Sequence, residues 1–269
     1  MAIGKMTFHS EELNRNVDFR FLLPEGPSLY EEDKSYFDRA PRVLYLLHGH
    51  GCGNEEWLTG SSIKAFSYRY NMAVIMPGGE NSFYLNHPEA RANYGNFVGR
   101  ELVEYTRKVF GFSDRREDTF IGGISMGGFG ALHTGLEFPE NFSKIMALSS
   151  ALILYDVAGK DNRYDDGFGG YDYYTSIFGD LKNVLESEVN PETLALKLLG
   201  HGVDLPQIYM ACGTEDFLLE NNRKFKRFLD AHKINCIYHE SEGNHNFKFW
   251  DPYVEDAIRW MAGRNGGFV

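Results

Sequence analysis

The residues best suited to do chemistry lie around Ser125. The segment Gly123–Gly127 places this serine between two glycines, each two positions away, after an apolar run and before a helical pattern. This arrangement predicts a nucleophile elbow, in which a tight turn exposes the serine hydroxyl above the carboxyl edge of a sheet. Because a serine hydroxyl is a weak nucleophile at neutral pH, it needs a histidine base and an acid that orients the base.

The acid and the base should follow Ser125 in the chain, each just after a strand. Two loops fit that order, one with Glu215 and Asp216 and the other with His245. We favour Asp216 over Glu215, although either could simply begin the next helix as an N-cap. We favour His245 because the alternatives His232 and His239 fall within a predicted helix and a predicted strand.

An oxyanion hole requires two backbone N–H groups that point at the substrate carbonyl oxygen. The residue after the nucleophile, Met126, supplies one of them. The second is expected from the glycine-rich loop 48–53, where we choose the N–H of His50. The pair His48 and His50 also permits a rival prediction, a metal-dependent hydrolase, but no HExxH motif is present to complete such a site.

These residues need a scaffold, and the chain alternates apolar β-rich segments with helical ones, which predicts an α/β fold with a mostly parallel sheet covered on both faces. An antiparallel pair, Lys5–His9 and Val17–Leu23, opens the chain. The later predicted strands are Val43–Leu47, Met72–Met76, Thr119–Gly122, Ile145–Leu148, Gln207–Ala211 and Ile234–His239. The predicted helices are Asn96–Phe110, Met126–Glu137, Phe217–His232 and Phe247–Met261.

One segment interrupts this alternation. Tyr155–Tyr174 is rich in aspartate, tyrosine and glycine, which predicts an irregular excursion that could be a lid or a plain surface loop. We find no repeat or linker that divides the 269 residues. The expected organisation is therefore one domain, residues 1–269, with a lid-like insertion around residues 151–205.

Composition excludes several classes of function. The formal charge of -11 disfavours nucleic acid as a partner, and no apolar run is long enough to span a membrane. Three scattered cysteines, Cys52, Cys212 and Cys236, do not form a disulfide framework. Because the N-terminus does not resemble a signal peptide, we expect a cytoplasmic protein. We also expect that the reaction needs no metal or organic cofactor.

Several motifs together resemble the esterase D-like α/β-hydrolases, most closely the bacterial tributyrin esterase and acetylesterase group, which is related to carbohydrate esterase family 1. The resemblance runs nearly end to end and implies the α/β-hydrolase fold, Ser125 as nucleophile, Asp216 as acid, His245 as base, and His50 and Met126 as oxyanion donors. The motifs that carry it are Leu46–Gly49, Met76–Tyr84, Arg116–Ile121, Gly123–Gly128, Gly213–Phe217 and Gly243–Phe247.

The resulting prediction is a serine carboxylic-ester hydrolase that cleaves short-chain acyl esters through an acyl-enzyme. Phe83, Tyr84 and Phe217 are the predicted substrate contacts, because large rings would narrow the acyl slot. Feruloyl or acetyl-carbohydrate esterase activity is an alternative. S-formylglutathione hydrolysis is disfavoured because that family usually reads Leu-Ser-Gly-Leu where this chain has Leu47–His50. The expected partner is a small acyl ester, with an acylated sugar as one candidate, and a homo-oligomer is a further expectation. A non-catalytic relative that serves as a binding protein is the remaining alternative.

Overall fold

The protein is described from a computed structural model, which covers residues 1–27 and 34–263. Its main sheet has eight strands in the order β1-β2-β4-β3-β7-β8-β9-β10, and β5 and β6 form a separate short hairpin. The strands are β1 Ala2–Ser10, β2 Arg15–Leu23, β3 Arg42–Leu47, β4 Met72–Pro77, β5 Asn86–His87, β6 Ala92–Asn93, β7 Thr119–Ile124, β8 Lys144–Leu148, β9 Gln207–Gly213 and β10 Cys236–Ser241.

The strand directions follow the predicted pattern. β1 pairs with β2 and β2 with β4 in antiparallel fashion, whereas the six strands from β4 to β10 in the sheet order run parallel. Parallel strands need long crossovers, and the helices supply them. As a result, the carboxyl ends of β3, β7, β8, β9 and β10 lie along one edge, where ligand sites of open α/β sheets are found.

Helices cover both faces of the sheet. A π-helical turn, Phe97–Glu101, joins α3 to α4, and four short 3₁₀ turns complete the described structure. The helices are α1 Glu56–Gly60, α2 Ile63–Arg69, α3 Tyr94–Asn96, α4 Leu102–Phe110, α5 Met126–Glu137, α6 Leu154–Val157, α7 Tyr171–Phe178, α8 Pro191–Gly200, α9 Leu219–Ala231 and α10 Phe247–Met261. No helix in these two ranges is long and apolar enough to cross a membrane.

The core has two parts that the sheet separates. Alternate residues of each central strand point to opposite faces, so Val43 and Tyr45 enter one hydrophobic cluster while Leu44 and Leu46 enter the other. One cluster includes residues of α4, α5 and α9, and the other includes residues of α1, α2 and α10. Burial on both faces explains why these strands read as continuous apolar runs rather than as alternating ones.

Two predictions of local structure need correction. The segment Tyr155–Tyr174 is not irregular throughout, because α6 and α7 occupy its two ends and their apolar residues, including Val157 and Tyr174, are buried. The last strand is displaced by two residues from the predicted Ile234–His239 and runs from Cys236 to Ser241. Ile234 was predicted to begin the strand because it is apolar, but it is buried in the loop that precedes the strand.

Candidate active site

Ser125 occupies the tight turn between β7 and α5. Its backbone has φ 54° and ψ -120°, a conformation that few non-glycine residues adopt. The flanking glycines are sterically required: a Cβ on Gly123 would lie 2.3 Å from the carbonyl oxygen of Gly127, and a Cβ on Gly127 would lie 2.4 Å from that of Leu47. Strand, turn and helix can approach this closely only without those side chains.

Asp216 and His245 meet at the ends of two neighbouring strands. Asp216 follows β9, His245 follows β10, and Oδ2 of Asp216 lies 2.8 Å from Nδ1 of His245. The other carboxylate oxygen, Oδ1, accepts the backbone N–H of Leu218 at 2.9 Å. Asp216 thus contacts the histidine and also stabilises the turn that leads into α9.

The environment of Asp216 keeps its carboxylate charged. Burial alone would raise the pKa of Asp216, but hydrogen bonds from His245, from the N–H of Leu218 and from the Ser149 hydroxyl outweigh it and lower the pKa below the ordinary value. A charged acceptor fixes His245 in the tautomer with the proton on Nδ1, leaving Nε2 free to accept one.

The alternative acid and the alternative bases lie elsewhere. Glu215 is exposed and bonds to the N–H of Gly243 at 2.5 Å and to the Thr214 hydroxyl at 2.7 Å. His232 is exposed at the end of α9 with Nδ1 2.9 Å from the Phe228 carbonyl oxygen, and the ring of His239 packs against Tyr209 from within β10. None of these three residues belongs to the Asp216–His245 pair.

Aromatic rings hold His245 on two sides. Its ring centroid lies 4.7 Å from that of Phe217 and 4.9 Å from that of Trp250. Trp250 in turn donates its indole N–H to the Ser149 hydroxyl at 2.9 Å. No hydrogen bond joins the His245 ring to the Ser125 hydroxyl, both of which lie in the described part of the chain; such bonds often tighten only when substrate binds.

In the loop after β3, the backbone N–H of His50 has no acceptor within the described structure. The N–H of Gly49 donates to Glu56 at 2.7 Å and that of Gly51 to Asn81 at 2.8 Å, whereas the N–H of His50 between them has no acceptor among the described residues. Met126 begins α5, and the first N–H groups of a helix have no partner within it. The sequence predicted these two groups as the oxyanion donors, and that role stays a prediction.

The two histidines of the HxH pair are engaged in other contacts. His48 is buried, its Nε2 accepts the N–H of Gly79 at 2.8 Å, and its Nδ1 lies 2.8 Å from the carbonyl oxygen of Gly49. Both ring nitrogens of His48 are therefore committed to the loop rather than available to a metal. Nε2 of His50 bonds to the Tyr173 hydroxyl at 2.7 Å. Within the described ranges, no group of three or more His, Cys, Asp or Glu residues is arranged to hold a metal ion.

A cavity of about 300 Å³ opens beside Ser125. Of the three predicted substrate contacts, Phe83 and Phe217 line this cavity, whereas Tyr84 does not: it is fully buried, and its hydroxyl donates to the carbonyl oxygen of His48. Tyr84 thus supports the loop after β3 instead of touching substrate space. The full lining is His50, Phe83, Ser125, Met126, Ala151, Ile153, Asp156, Asp166, Phe168, Tyr174, Phe217 and Leu218.

Sequence reasoning missed several residues that shape this site. Ser149 could have been found, since it directly follows β8 at the same edge of the sheet as Ser125. Asn81 and Tyr173 lie 30 and 123 residues along the chain from the groups they contact. Glu56 lies only seven residues from Gly49, but no local pattern distinguishes it from a surface residue.

Comparison with known proteins agrees with this geometry. The family model described as "Putative esterase" matches residues 10–261. An acetyl esterase of Caldicellulosiruptor saccharolyticus is 42% identical over 262 residues, which cover 97% of this chain and 98% of that protein.

Two solved structures from Staphylococcus aureus share the fold with a TM-score of 0.81 each. The first is FphF, a fluorophosphonate-binding serine hydrolase solved with substrate bound; it is 26% identical, and the match covers 98% of this chain and 99% of that one. The second is the S-formylglutathione hydrolase FrmB, which is 27% identical, with 97% and 99% covered. The sheet, the helices on both faces and these neighbours identify the α/β-hydrolase fold.

Proposed function

This chain belongs to the putative esterase family and is a serine carboxylic-ester hydrolase, and from that premise we propose that it cleaves short-chain acyl esters with Ser125, His245 and Asp216 as its catalytic triad. The observation that carries the proposal is the juxtaposition of an elbow serine, an Asp216–His245 pair and one apolar-walled cavity at a single edge of the sheet.

The proposed reaction has two halves. His245 takes the proton of the Ser125 hydroxyl through Nε2 as the oxygen attacks the ester carbonyl, and then returns that proton to the departing alcohol. Asp216 stabilises the transient imidazolium. A water molecule, activated by His245 in the same way, then attacks the acyl-enzyme and releases the acid.

The negative charge on the carbonyl oxygen develops within reach of two N–H groups in this proposal. The N–H of His50 is available because Glu56 and Asn81 accept the N–H groups on either side of it. The N–H of Met126 adds the positive end of the α5 dipole. Loss of one such donor typically costs about 10²- to 10³-fold in kcat.

The cavity supports a preference for short acyl groups. Its volume of about 300 Å³ lies at the low end of small-molecule sites. Phe83 is almost fully buried and packs edge-on against Phe129 and Phe178, so the wall behind Ser125 is rigid. The acetyl esterase relative agrees with this preference. The alcohol side is more open, and we propose that acylated sugars are among its substrates.

One assay tests the activity and its chain-length preference together. We expect kcat/KM for 4-nitrophenyl acetate, propionate and butyrate to exceed that for the octanoate by about tenfold or more, because a closed wall cannot accept the extra methylenes. Each methylene would gain about 0.8 kcal/mol if apolar surface were open to it. A steady rise from acetate to octanoate would therefore contradict the short slot.

Two additions to the assay separate the alternatives. A fluorophosphonate probe should label the protein and abolish turnover if Ser125 is the nucleophile. Activity lost in EDTA and restored by zinc would instead support a metal-dependent reaction at His48 and His50. A protein that binds esters without hydrolysing any of them would be a non-catalytic relative.

We propose a reducing compartment, consistent with a cytoplasmic location. All three cysteines are free thiols, with Cys212 buried and Cys52 exposed. Disulfides are uncommon in reducing compartments, where thiols persist.

A further inference from the structure

Two aspartates line the cavity beside Ser125. Asp156 and Asp166 are both exposed at its mouth. Oδ2 of Asp156 accepts an N–H of Asn221 at 2.5 Å. In the described ranges, neither carboxylate forms an ion pair, and no lysine or arginine lines the cavity.

Asp166 is fixed in position by hydrogen bonds that suit a negative charge. Its Oδ1 accepts the N–H groups of Phe168 and Gly169, both at 2.9 Å, and its Oδ2 accepts the Tyr174 hydroxyl at 2.7 Å. Burial would raise the pKa of Asp166, but these bonds outweigh it and hold the pKa below the ordinary value. At neutral pH this carboxylate is therefore ionised.

The histidine on the cavity wall does not offset this charge. Burial lowers the pKa of His50, and its Nε2 is 2.7 Å from the Tyr173 hydroxyl, so the ring is neutral at pH 7. The chain as a whole carries a formal charge of -11, which adds to the negative potential at the mouth.

Two aromatic rings flank the same mouth and remain accessible. Phe168 is 60% exposed and packs edge-on against His50, with ring centroids 4.8 Å apart. Phe217 is 76% exposed beside His245. Ring faces together with carboxylates are the environment that binds an ammonium group, through cation–π attraction and direct Coulomb attraction.

The cavity floor differs from its mouth. Phe83, Met126 and Ala151 are buried and apolar, which suits the acyl chain, whereas the aspartates and the exposed rings face solvent, which suits the alcohol part of an ester. Building on the proposed ester hydrolysis, we infer that Asp156 and Asp166 select substrates by the charge of the alcohol, favouring acyl esters of amino-alcohols and quaternary ammonium alcohols over neutral ones and disfavouring anionic ones.

The test compares substrates of one shape and different charge. Acetylthiocholine and S-(3,3-dimethylbutyl) thioacetate differ only in a nitrogen that replaces a carbon, and both release a thiol that a dye detects. We expect kcat/KM to be about tenfold higher for the cation at low ionic strength, and the ratio to fall in 0.5 M NaCl as salt screens the charges. A thioacetate ending in a sulfonate should be the poorest of the three.

Substitutions test whether the two aspartates cause the difference in kcat/KM between the cationic and the neutral substrate. In Asp156→Asn and Asp166→Asn the cation-to-neutral ratio should fall about threefold each, and in the double variant it should approach one. Asp161→Asn is the matched control, because Asp161 lies in the same segment but pairs with Arg163 and does not line the cavity. It should keep the wild-type ratio.

The outcomes separate this inference from the proposed function. Hydrolysis of both substrates at equal rates by the wild type would overturn the charge selection alone. So would a preference for the cation that persists in the double variant, or one that Asp161→Asn removes equally. Failure to hydrolyse the neutral thioacetate and 4-nitrophenyl acetate would overturn the proposed function, and the charge selection with it.

Discussion

Asp216 shows how a single carboxylate can make two different contacts at once. One oxygen of its carboxylate caps the turn before α9 and the other contacts His245. From the sequence these were competing interpretations, a helix cap or a catalytic acid. In the structure both contacts exist at once, because a carboxylate has two oxygens and the turn directs them apart.

The two contacts predict the effect of replacing Asp216 with asparagine. The amide oxygen of the asparagine can still accept the N–H of Leu218. Its N–H₂ group, however, would face Nδ1 of His245 and favour the tautomer that carries the proton on Nε2, which cannot act as the base. We therefore expect Asp216→Asn to fold normally and to lose about 10³- to 10⁴-fold in kcat on 4-nitrophenyl acetate. Glu215→Gln, the neighbouring control, should change kcat by less than about threefold. The opposite ranking of these two variants would assign the acid to Glu215.

Ser125 provides the second prediction for a single residue. Removing its hydroxyl leaves the base with nothing to activate, so Ser125→Ala should lower kcat by about a million-fold, with an unchanged circular dichroism spectrum. Loss of labelling by a fluorophosphonate probe should accompany it. Ser176→Ala alters an exposed serine of α7 and should behave as wild type. Activity of Ser125→Ala within tenfold of wild type would exclude this serine as the nucleophile.

At the scale of elements, the β7–α5 elbow depends on how closely two backbone segments approach. A Cβ on Gly123 would collide with the carbonyl group of Gly127, and a backbone atom cannot move aside as a side chain can. We expect Gly123→Ala to reduce the free energy of unfolding by about 3 kcal/mol and to reduce activity as Ser125 shifts. Urea titration at pH 7 measures the first effect.

A helical glycine elsewhere provides the control for that experiment. Gly200 ends α8, and a Cβ built on it meets no atom within 4 Å. Gly200→Ala should therefore be neutral or slightly stabilising, since alanine favours helix over glycine by about 1 kcal/mol. Equal stability of the two variants would show that the elbow is not under the steric constraint described.

The segment from α6 to α7 shows a second property of elements. It contributes Asp156, Asp166, Phe168 and Tyr174 to the cavity, while Tyr173 contacts His50 across it. The same stretch that breaks the strand–helix alternation therefore forms one wall of the site. We propose that it acts as a specificity wall within a single domain, because its helices are buried in the same cluster as α5.

At the scale of the whole molecule, an unfavourable buried contact lies at the far end of α5. Nδ1 of His133 and Oε2 of Glu137 are buried, 3.6 Å apart and without hydrogen-bond partners. Nε2 of His133 is 3.0 Å from the Glu188 carbonyl oxygen and must carry the proton. Burial, aided by the charge of Glu188, raises the pKa of Glu137 to about 7. The folded protein thus favours the protonated form of this carboxyl group.

Because the pKa of Glu137 is raised, we expect the variant Glu137→Gln to be more stable than wild type by an amount that depends on pH. The stabilising contribution of protonated Glu137 is complete below about pH 4.5 and is lost as pH rises towards 7 and above. Glu137→Gln keeps the neutral state at every pH, so it should match wild type near pH 4.5 and exceed it by about 2 kcal/mol at pH 8. Urea titrations at both pH values measure the difference. The exposed Glu140→Gln should show no such trend, and a gain that is equal at both pH values would contradict the burial argument.

The sequence alone determined the features that depend on local chemistry. Continuous apolar runs identified the buried parallel strands, because burial on both faces removes alternation. The bounds of α5 and α10 also match the prediction, since glycine spacing and apolar periodicity mark them directly. The order of Ser125, the acid and His245 follows from the requirement that each lie after a strand. These signals are carried by neighbouring residues, so a single sequence contains them.

Only the tertiary structure decided which distant residues meet. It paired His245 with Asp216 rather than Glu215, moved Tyr84 from the cavity to the support of His48, and brought Asp156 and Asp166 to the mouth of the site. Each outcome depends on the angle at which a loop leaves the sheet and on side chains more than twenty residues away. Such contacts leave no periodic or spacing signal, because the chain between them can vary without changing where they meet.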